Sequence, residues 1–138
     1  MNVFVDTNVL LDVLALREPH YPAASQIWTL CETGRMTGHI SAISFNNIFY
    51  IVRKFSGRKT AQRALSLLRD VFQPVALDSQ ILNQSISAGL ADFEDAIQYH
   101  SALRANVECL VTRNVGHFPK STIPLMTPVE FLAAHSAL

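Results

Sequence analysis

The feature that most constrains the fold of this chain is its alternation of short apolar runs with segments of helical periodicity. The first run, Val3-Phe4-Val5, is continuously apolar and ends at Asp6. Continuous apolarity over so few residues is typical of a strand buried on both faces of a parallel sheet. Further short strands are predicted at 37–42, 73–77, 108–112 and 123–126. Because Pro74 cannot donate a ladder hydrogen bond, the third strand is expected at an edge.

Helical segments separate the predicted strands. After Asn8, apolar residues recur at i, i+1, i+4 and i+5, which predicts a first helix capped by Asn8. Ser44 is expected to cap a third helix, and Asp92 a sixth. The other helices are predicted from Pro22 to near Gly34, over 59–71, from a cap at Asp78 or Ser79 to near Gly89, and from Pro128.

This order of elements predicts an α/β protein, specifically a three-layer α/β/α sandwich with a mainly parallel sheet of four to five strands. The 138 residues contain no repeat, low-complexity stretch or linker, so we expect a single domain over 1–138. No apolar run approaches the roughly 20 residues of a membrane span. The opening residues lack the basic and long apolar segments of a signal peptide, and we therefore expect a cytoplasmic protein.

The net charge is zero, with 11 basic and 11 acidic residues, which argues against an indiscriminate nucleic-acid coat protein. The charges are unevenly placed, however. A basic strip falls within eleven residues, and Asp92, Glu94 and Asp95 fall within four. The strip, with Tyr50 and Phe55 nearby, is compatible with a track for nucleic acid and equally with a solvated helical face. Its members are Arg53, Lys54, Arg58, Lys59 and Arg63.

Acidic and amide side chains are predicted to meet at one edge of the sheet. Asp6 ends the first strand and Asn114 follows the fourth, and ligands of open parallel sheets bind at the carboxyl ends of strands. Asp92 and Asp95 begin a helix three residues apart, so they can face one direction, although Asp92 is also compatible with a simple helix cap. Carboxylates held together repel one another and coexist most easily around a cation such as Mg²⁺ or Mn²⁺. Metal-assisted phosphodiester hydrolysis is the chemistry that this arrangement predicts.

The same segments resemble a known family. Residues 3–12, Val-Phe-Val-Asp-Thr-Asn-Val-Leu-Leu-Asp, resemble the opening strand and helix of PIN domains. Residues 92–97, Asp-Phe-Glu-Asp-Ala-Ile, resemble their acidic helix, and 111–114 with Phe118, 127–128 and 131–132 resemble their closing segments. The resemblance covers nearly the whole chain in order. It implies a Mg²⁺- or Mn²⁺-dependent nuclease fold directed at single strands. Small stand-alone PIN domains are commonly VapC-like toxins, which cut RNA, often form homodimers and are held inactive by a small antitoxin protein.

The resemblance also implies roles for individual residues. Asp6 and Asp95 are expected to bind the metal, with Asp92 in support. Two positions depart from the family pattern, because Asn47 and Asn114 stand where acids are usual. An asparagine oxygen can still serve a metal or a water but brings no charge. We therefore expect Asn114 in an outer or weak inner role and Asn47 hydrogen-bonded to a water.

On the substrate side, Arg113 and Lys120 are predicted to contact phosphate. Thr7 and Thr112 are predicted to orient a water or a bound group, while both are also compatible with bonding to backbone. His117 suits a phosphate donor or a plain loop histidine.

Two other functions remain compatible with the sequence. One is a PIN fold that has lost catalysis and binds RNA or a protein, which the two asparagines favour. The other is a phosphatase or receiver domain, which requires a lysine at a late strand end. Since Lys120 is the only lysine late in the chain, the second is less favoured.

Overall fold

The computed structural model describes residues 1–120 and 122–138. The described residues form an α/β domain in which five strands alternate with seven helices. The elements are β1 (Asn2–Val5), α1 (Thr7–Leu14), α2 (Tyr21–Glu32), β2 (Thr37–Ser41), α3 (Ala42–Ser56), α4 (Arg58–Val71), β3 (Gln73–Val75), α5 (Ser79–Ser87), α6 (Phe93–Arg104), β4 (Cys109–Val111), β5 (Leu125–Met126) and α7 (Pro128–Ala134). A short 3₁₀ turn, Val115–His117, follows β4.

The strands form one sheet in the order β3-β2-β1-β4-β5, and every neighbouring pair is parallel. The central strand β1 shows why helices must cover both faces. Its residues alternate between two cores: Val3 and Val5 pack into one apolar cluster and Phe4 into the other. All three are at most 1% exposed. The predicted three-layer α/β/α architecture with a parallel sheet is therefore confirmed, and β3 lies at the predicted edge.

Two helix starts differ from the prediction. Asp6, not Asn8, caps α1, and its side chain accepts a hydrogen bond from the backbone N–H of Asn8. Ser41, not Ser44, caps α3 in the same way. In both cases the helix begins directly at the end of the strand, so the last residue with extended backbone, which is polar, becomes the cap. The predicted caps Asp78 and Asp92 are confirmed.

No helix within the described part of the chain is long and apolar enough to cross a membrane.

Candidate active site

A cavity of about 530 Å³ lies at the carboxyl ends of the central strands. Asp6 follows β1, Asn114 follows β4, and Asn47 lies on the helix that follows β2. The cavity lining includes four carboxylates, from Asp6, Asp92, Glu94 and Asp95. The two strands that carry Asp6 and Asn114 are neighbours, so the predicted meeting of acids at this edge is what the structure shows.

Asp6 is the most enclosed acid of the cavity, with 3% of its surface exposed. The hydroxyl of Thr112 donates to its Oδ2 at 2.6 Å. Because Thr112 follows β4, this hydrogen bond joins the ends of the two central strands. Burial raises the pKa of Asp6, and the hydrogen bond from Thr112 opposes that rise. Thr112, predicted to orient a bound group, is fully buried behind Asp6 and positions its carboxylate.

The start of α6 places two further acids opposite Asp6. Asp92 caps this helix by accepting a hydrogen bond from the Asp95 N–H at 3.0 Å. Burial, followed by repulsion from Asp6 and Asp92, raises the pKa of Asp95 to about 6. His117 lies at the cavity rim with its Nδ1 3.6 Å from Asp95 Oδ2. The carboxylates of Asp6, Asp92 and Asp95 are therefore close enough to affect one another's ionisation.

Glu94 is a site residue that the sequence indicated only as an acid able, with Asp92, to compensate for the charge missing at Asn47 and Asn114. Asn47 Nδ2 donates to its Oε2, and the Thr7 hydroxyl donates to the same oxygen at 3.4 Å. Burial raises the pKa of Glu94, and repulsion from Asp6 and Asp92 raises it further. The only signal in the sequence was its position within the acidic run of α6. Asn47, predicted to hydrogen-bond a water, contacts this carboxylate through its amide nitrogen.

A buried polar network supports the cavity from below. Gln98 Oε1 accepts from the Thr7 backbone N–H at 3.0 Å, and the Thr7 hydroxyl lies 2.7 Å from the Ser44 hydroxyl. The three residues belong to α6, α1 and α3, so the network fixes the spacing of the helices that carry the site. Thr7 lines the cavity as predicted, but its hydroxyl is engaged in this network. Gln98 and Ser44 were not predicted, and sequence periodicity offers no signal for such contacts.

The two predicted phosphate contacts lie outside the cavity lining. Arg113 Nε donates to Asp12 Oδ2 at 2.6 Å, and Asp12 is fully buried. Lys120 is exposed on the loop beyond the 3₁₀ turn and does not line the cavity. The structure thus brings together Asp6, Asp92, Asp95, Asn47, Asn114 and Thr7.

The donor set of the cavity fits a hard cation. Its ligands are carboxylate and amide oxygens, which Mg²⁺ and Mn²⁺ prefer. Asn8 Oδ1 is buried at the cavity and has no hydrogen-bond partner among the described residues. Such an oxygen is suited to a cation or its bound water. Within residues 1–120 and 122–138, however, no group of three His, Cys, Asp or Glu side chains is arranged to hold a metal. Asp6, Asp92 and Asp95 are therefore not arranged as a preformed three-carboxylate site, and Asp92 also caps α6. One or two carboxylates completed by waters is the usual way in which Mg²⁺ is bound.

Comparison with known families identifies the fold from sequence. A family model described as PIN domain matches residues 2–116. The chain belongs to the PIN-domain family. The matched range contains the four cavity acids as well as Asn47 and Asn114. No curated protein matches the sequence.

Solved structures of similar fold include a toxin and toxin–antitoxin complexes. One, described as a toxin–antitoxin complex from Klebsiella pneumoniae, superposes with a TM-score of 0.67 at 24% identity and covers 91% of this chain and 97% of that chain. VapBC2 from Rickettsia felis, bound to a promoter DNA fragment, gives 0.66 at 18% identity with the same coverage of 91% and 97%. VapC20 of Mycobacterium tuberculosis, a toxin that cleaves the sarcin–ricin loop, gives 0.64 at 13% identity, covering 78% and 86%. These similarities show a shared fold.

Proposed function

We propose that this PIN domain is a metal-dependent endoribonuclease that cuts single-stranded RNA, acting in the cytoplasm as the toxin of a toxin–antitoxin pair. The observation that carries the proposal is the convergence of four carboxylates on one cavity at the carboxyl edge of the sheet. Three of them, Asp6, Glu94 and Asp95, have raised pKa values. Desolvated, mutually repelling carboxylates are costly to maintain, which points to a functional site.

Asp6 and Asp95 are the proposed ligands of Mg²⁺ or Mn²⁺, with Asp92 in support and Asn114 in an outer position. When bound, the ion supplies Lewis-acid stabilisation of a phosphate and a more acidic water. Thr112 holds the Asp6 carboxylate in place through its hydrogen bond. Asn47 holds Glu94 in the same manner, and we assign to His117, at the cavity rim, a hydrogen bond to a phosphate oxygen. Water is the nucleophile, so no nucleophilic serine or cysteine is required.

The proposed partners follow from the structural neighbours. The Klebsiella and Rickettsia structures are a toxin–antitoxin complex and a VapBC pair, which supports a small antitoxin as a partner of this chain. We also propose a homodimer, which light scattering of the purified protein would test.

The decisive experiment is cleavage of end-labelled single-stranded RNA with Mg²⁺, Mn²⁺ or EDTA. We expect metal-dependent cutting by wild type and a loss of at least about 100-fold in Asp6→Asn and in Asp95→Asn, the scale at which removal of one electrostatic catalytic group is felt. Asp70→Asn is the matched control, because Asp70 is an exposed acid that does not line the cavity. Equal cutting by all four proteins would refute the assignment.

The second candidate function is a PIN fold that binds RNA or a partner without cutting it. The observation in its favour is that Asn47 and Asn114 line the cavity, so two positions that are usually acidic in the family bring no charge. Well-folded wild type that binds single-stranded RNA but leaves it intact at millimolar Mn²⁺ would establish this function instead.

A further inference from the structure

The charges of this chain are segregated along the sequence. From residue 33 to residue 69 there is no aspartate or glutamate, yet this stretch carries seven of the 11 basic residues. Five of the seven, Arg53, Lys54, Arg58, Lys59 and Arg63, lie where α3 ends and α4 begins. We call this group the basic hairpin. The two helices are joined by Gly57 alone, whose φ of 87° lets the chain turn between them.

The charges of the basic hairpin are exposed and unneutralised. All five side chains are exposed, and none forms an ion pair with another residue in the described part of the chain. By contrast, Arg104 and Arg113 are paired with Asp78 and Asp12. A cluster of unpaired cations costs electrostatic repulsion in the free protein, which an anionic ligand would relieve.

Helix α3 connects the basic hairpin to the acidic cavity. Residues three and four apart lie on one face of a helix, so Asn46 and Asn47, then Tyr50, then Arg53 and Lys54 form one stripe. Asn46, Asn47 and Tyr50 line the cavity. Tyr50 is 72% exposed at the cavity mouth, and the step from Tyr50 to Lys54 is about 6 Å along the axis.

A second exposed aromatic residue follows on the basic hairpin itself. Phe55 is 77% exposed, and the Lys54 ammonium lies 5.7 Å from the centre of its ring. Aromatic rings interleaved with cations are the surface on which single-stranded nucleic acids bind, with bases stacking on rings and phosphates meeting the cations. A rigid duplex would not present an unstacked base to Tyr50, because its bases are already stacked.

We propose that the basic hairpin and Tyr50 form the track along which a single RNA strand enters the acidic cavity, with a base stacked on Tyr50 and phosphates on Arg53 and Lys54. The track rests on the proposed function in one respect, since the cavity is taken as the place where the strand is cut. It answers a physical problem of that cavity: four carboxylates repel a polyanion, so the strand must be held by cations outside the site.

The test is binding of a labelled single-stranded RNA in EDTA, where no cutting occurs, measured by fluorescence anisotropy over a range of salt concentrations. Lys54→Gln and Arg53→Gln are compared with Arg35→Gln. This variant removes the same charge at an exposed position just before β2, at the amino-terminal ends of the strands and so away from the cavity. Tyr50→Ala is compared with Tyr50→Phe, which keeps the ring. Circular dichroism and melting temperature establish that each variant is folded.

We expect Tyr50→Ala to weaken binding about 10-fold, the scale of one lost base stack, and Tyr50→Phe to bind as wild type does. Each charge variant on the hairpin should lower the slope of log affinity against log salt by about 0.7, one phosphate contact on a single strand. Arg35→Gln should leave the slope unchanged.

Equal slopes in the hairpin variants and Arg35→Gln would overturn the track. So would variants that retain RNA binding but lose an acidic protein partner, since the hairpin would then be a protein-docking surface. Binding is measured in EDTA, so it does not depend on catalysis. Hairpin-dependent RNA binding by a protein that never cuts RNA with Mg²⁺ or Mn²⁺ would support the track and refute the nuclease.

Discussion

Glu94 and Asn47 illustrate how single residues set the chemistry of this cavity. Asn47 brings no charge, but its amide donates to the Glu94 carboxylate. Repulsion from Asp6 and Asp92 helps to raise the pKa of Glu94. A carboxylate from α6 is thus held against an amide from α3. We infer that Glu94 supplies negative charge that the position of Asn47 lacks.

Glu94→Gln should therefore weaken Mn²⁺ binding about 10- to 100-fold, the usual cost of losing a group that supports metal ligands. Calorimetric titration of the purified protein with Mn²⁺ measures this directly. Glu32→Gln is the control, because Glu32 is exposed at the end of α2. An affinity equal to that of the control would assign Glu94 a structural role only.

For single residues, the sequence predicted those members of the site that can be recognised from their position next to a strand or helix end. Asp6 could be predicted because it directly ends a buried strand, and Asp92 and Asp95 because they begin a helix. Gln98 and Ser44 could not, since their contacts with Thr7 join residues 91 and 37 positions apart. Such contacts depend on how three helices pack, which the periodicity of each helix does not specify.

Among the secondary structure elements, α1 and the segment after β4 are joined by an ion pair between a fully buried acid and a partly exposed arginine. Asp12 is fully buried in α1, and both Nε and Nη2 of Arg113 donate to its carboxylate, at 2.6 and 3.3 Å. Arg17 approaches the same carboxylate at only 4.0 Å. The sequence predicted a phosphate contact for Arg113 because it precedes Asn114, but residue order does not reveal a competing acid 101 positions away.

We therefore expect Arg113→Gln to lower the free energy of unfolding by about 3 kcal/mol, because it leaves Asp12 buried without its main partner. Urea denaturation measures the loss. Arg69→Gln is the matched control: Arg69 forms an exposed ion pair with Asp70 at 3.7 Å, and losing it should cost less than about 1 kcal/mol. Unchanged stability of Arg113→Gln together with weaker RNA binding would restore the phosphate contact predicted from sequence.

The helix starts show what limits prediction of elements. The alternation of strands and helices was evident because each buried strand is a continuous apolar run. The exact starts of α1 and α3 were not, because several polar residues in each segment are competent caps. Asp6 and Ser41 were selected by the register of β1 and β2, which sets where extended backbone ends.

Across the whole molecule, the net charge is zero, but two regions carry charge of opposite sign. The carboxylates gather in the cavity, while the cations of the basic hairpin lie along the helices that follow β2. The sequence revealed both clusters, but their proximity depends on the strand order β3-β2-β1-β4-β5. This order places β2 beside β1, so that α3 reaches the cavity formed around Asp6.

This arrangement links metal binding to the stability of the whole fold. Burial raises the pKa of Asp6, Glu94 and Asp95, so ionisation of these groups destabilises the folded state as the pH rises through their raised pKa values. That cost falls as the pH drops toward the unfolded-state pKa values, and a cation bound to the carboxylates would offset it. A ligand that binds only the folded state stabilises it by about 2.7 kcal/mol at 100 times its dissociation constant.

Saturating Mn²⁺ should therefore raise the melting temperature of wild type by about 5–15 °C, given roughly 2–6 °C per kcal/mol for a domain of this size. In Asp6→Asn, the metal-free protein should melt higher than wild type at a pH above the raised pKa of Asp6, because the desolvated carboxylate has been removed, and Mn²⁺ should have little further effect. Differential scanning calorimetry with Mn²⁺ or EDTA measures both quantities without any assay of cleavage. Asp70→Asn should respond to Mn²⁺ as wild type does. A Mn²⁺ response of the same size in Asp6→Asn would show that the ion binds away from the cavity, and Asp6 would then lose its place as a metal ligand.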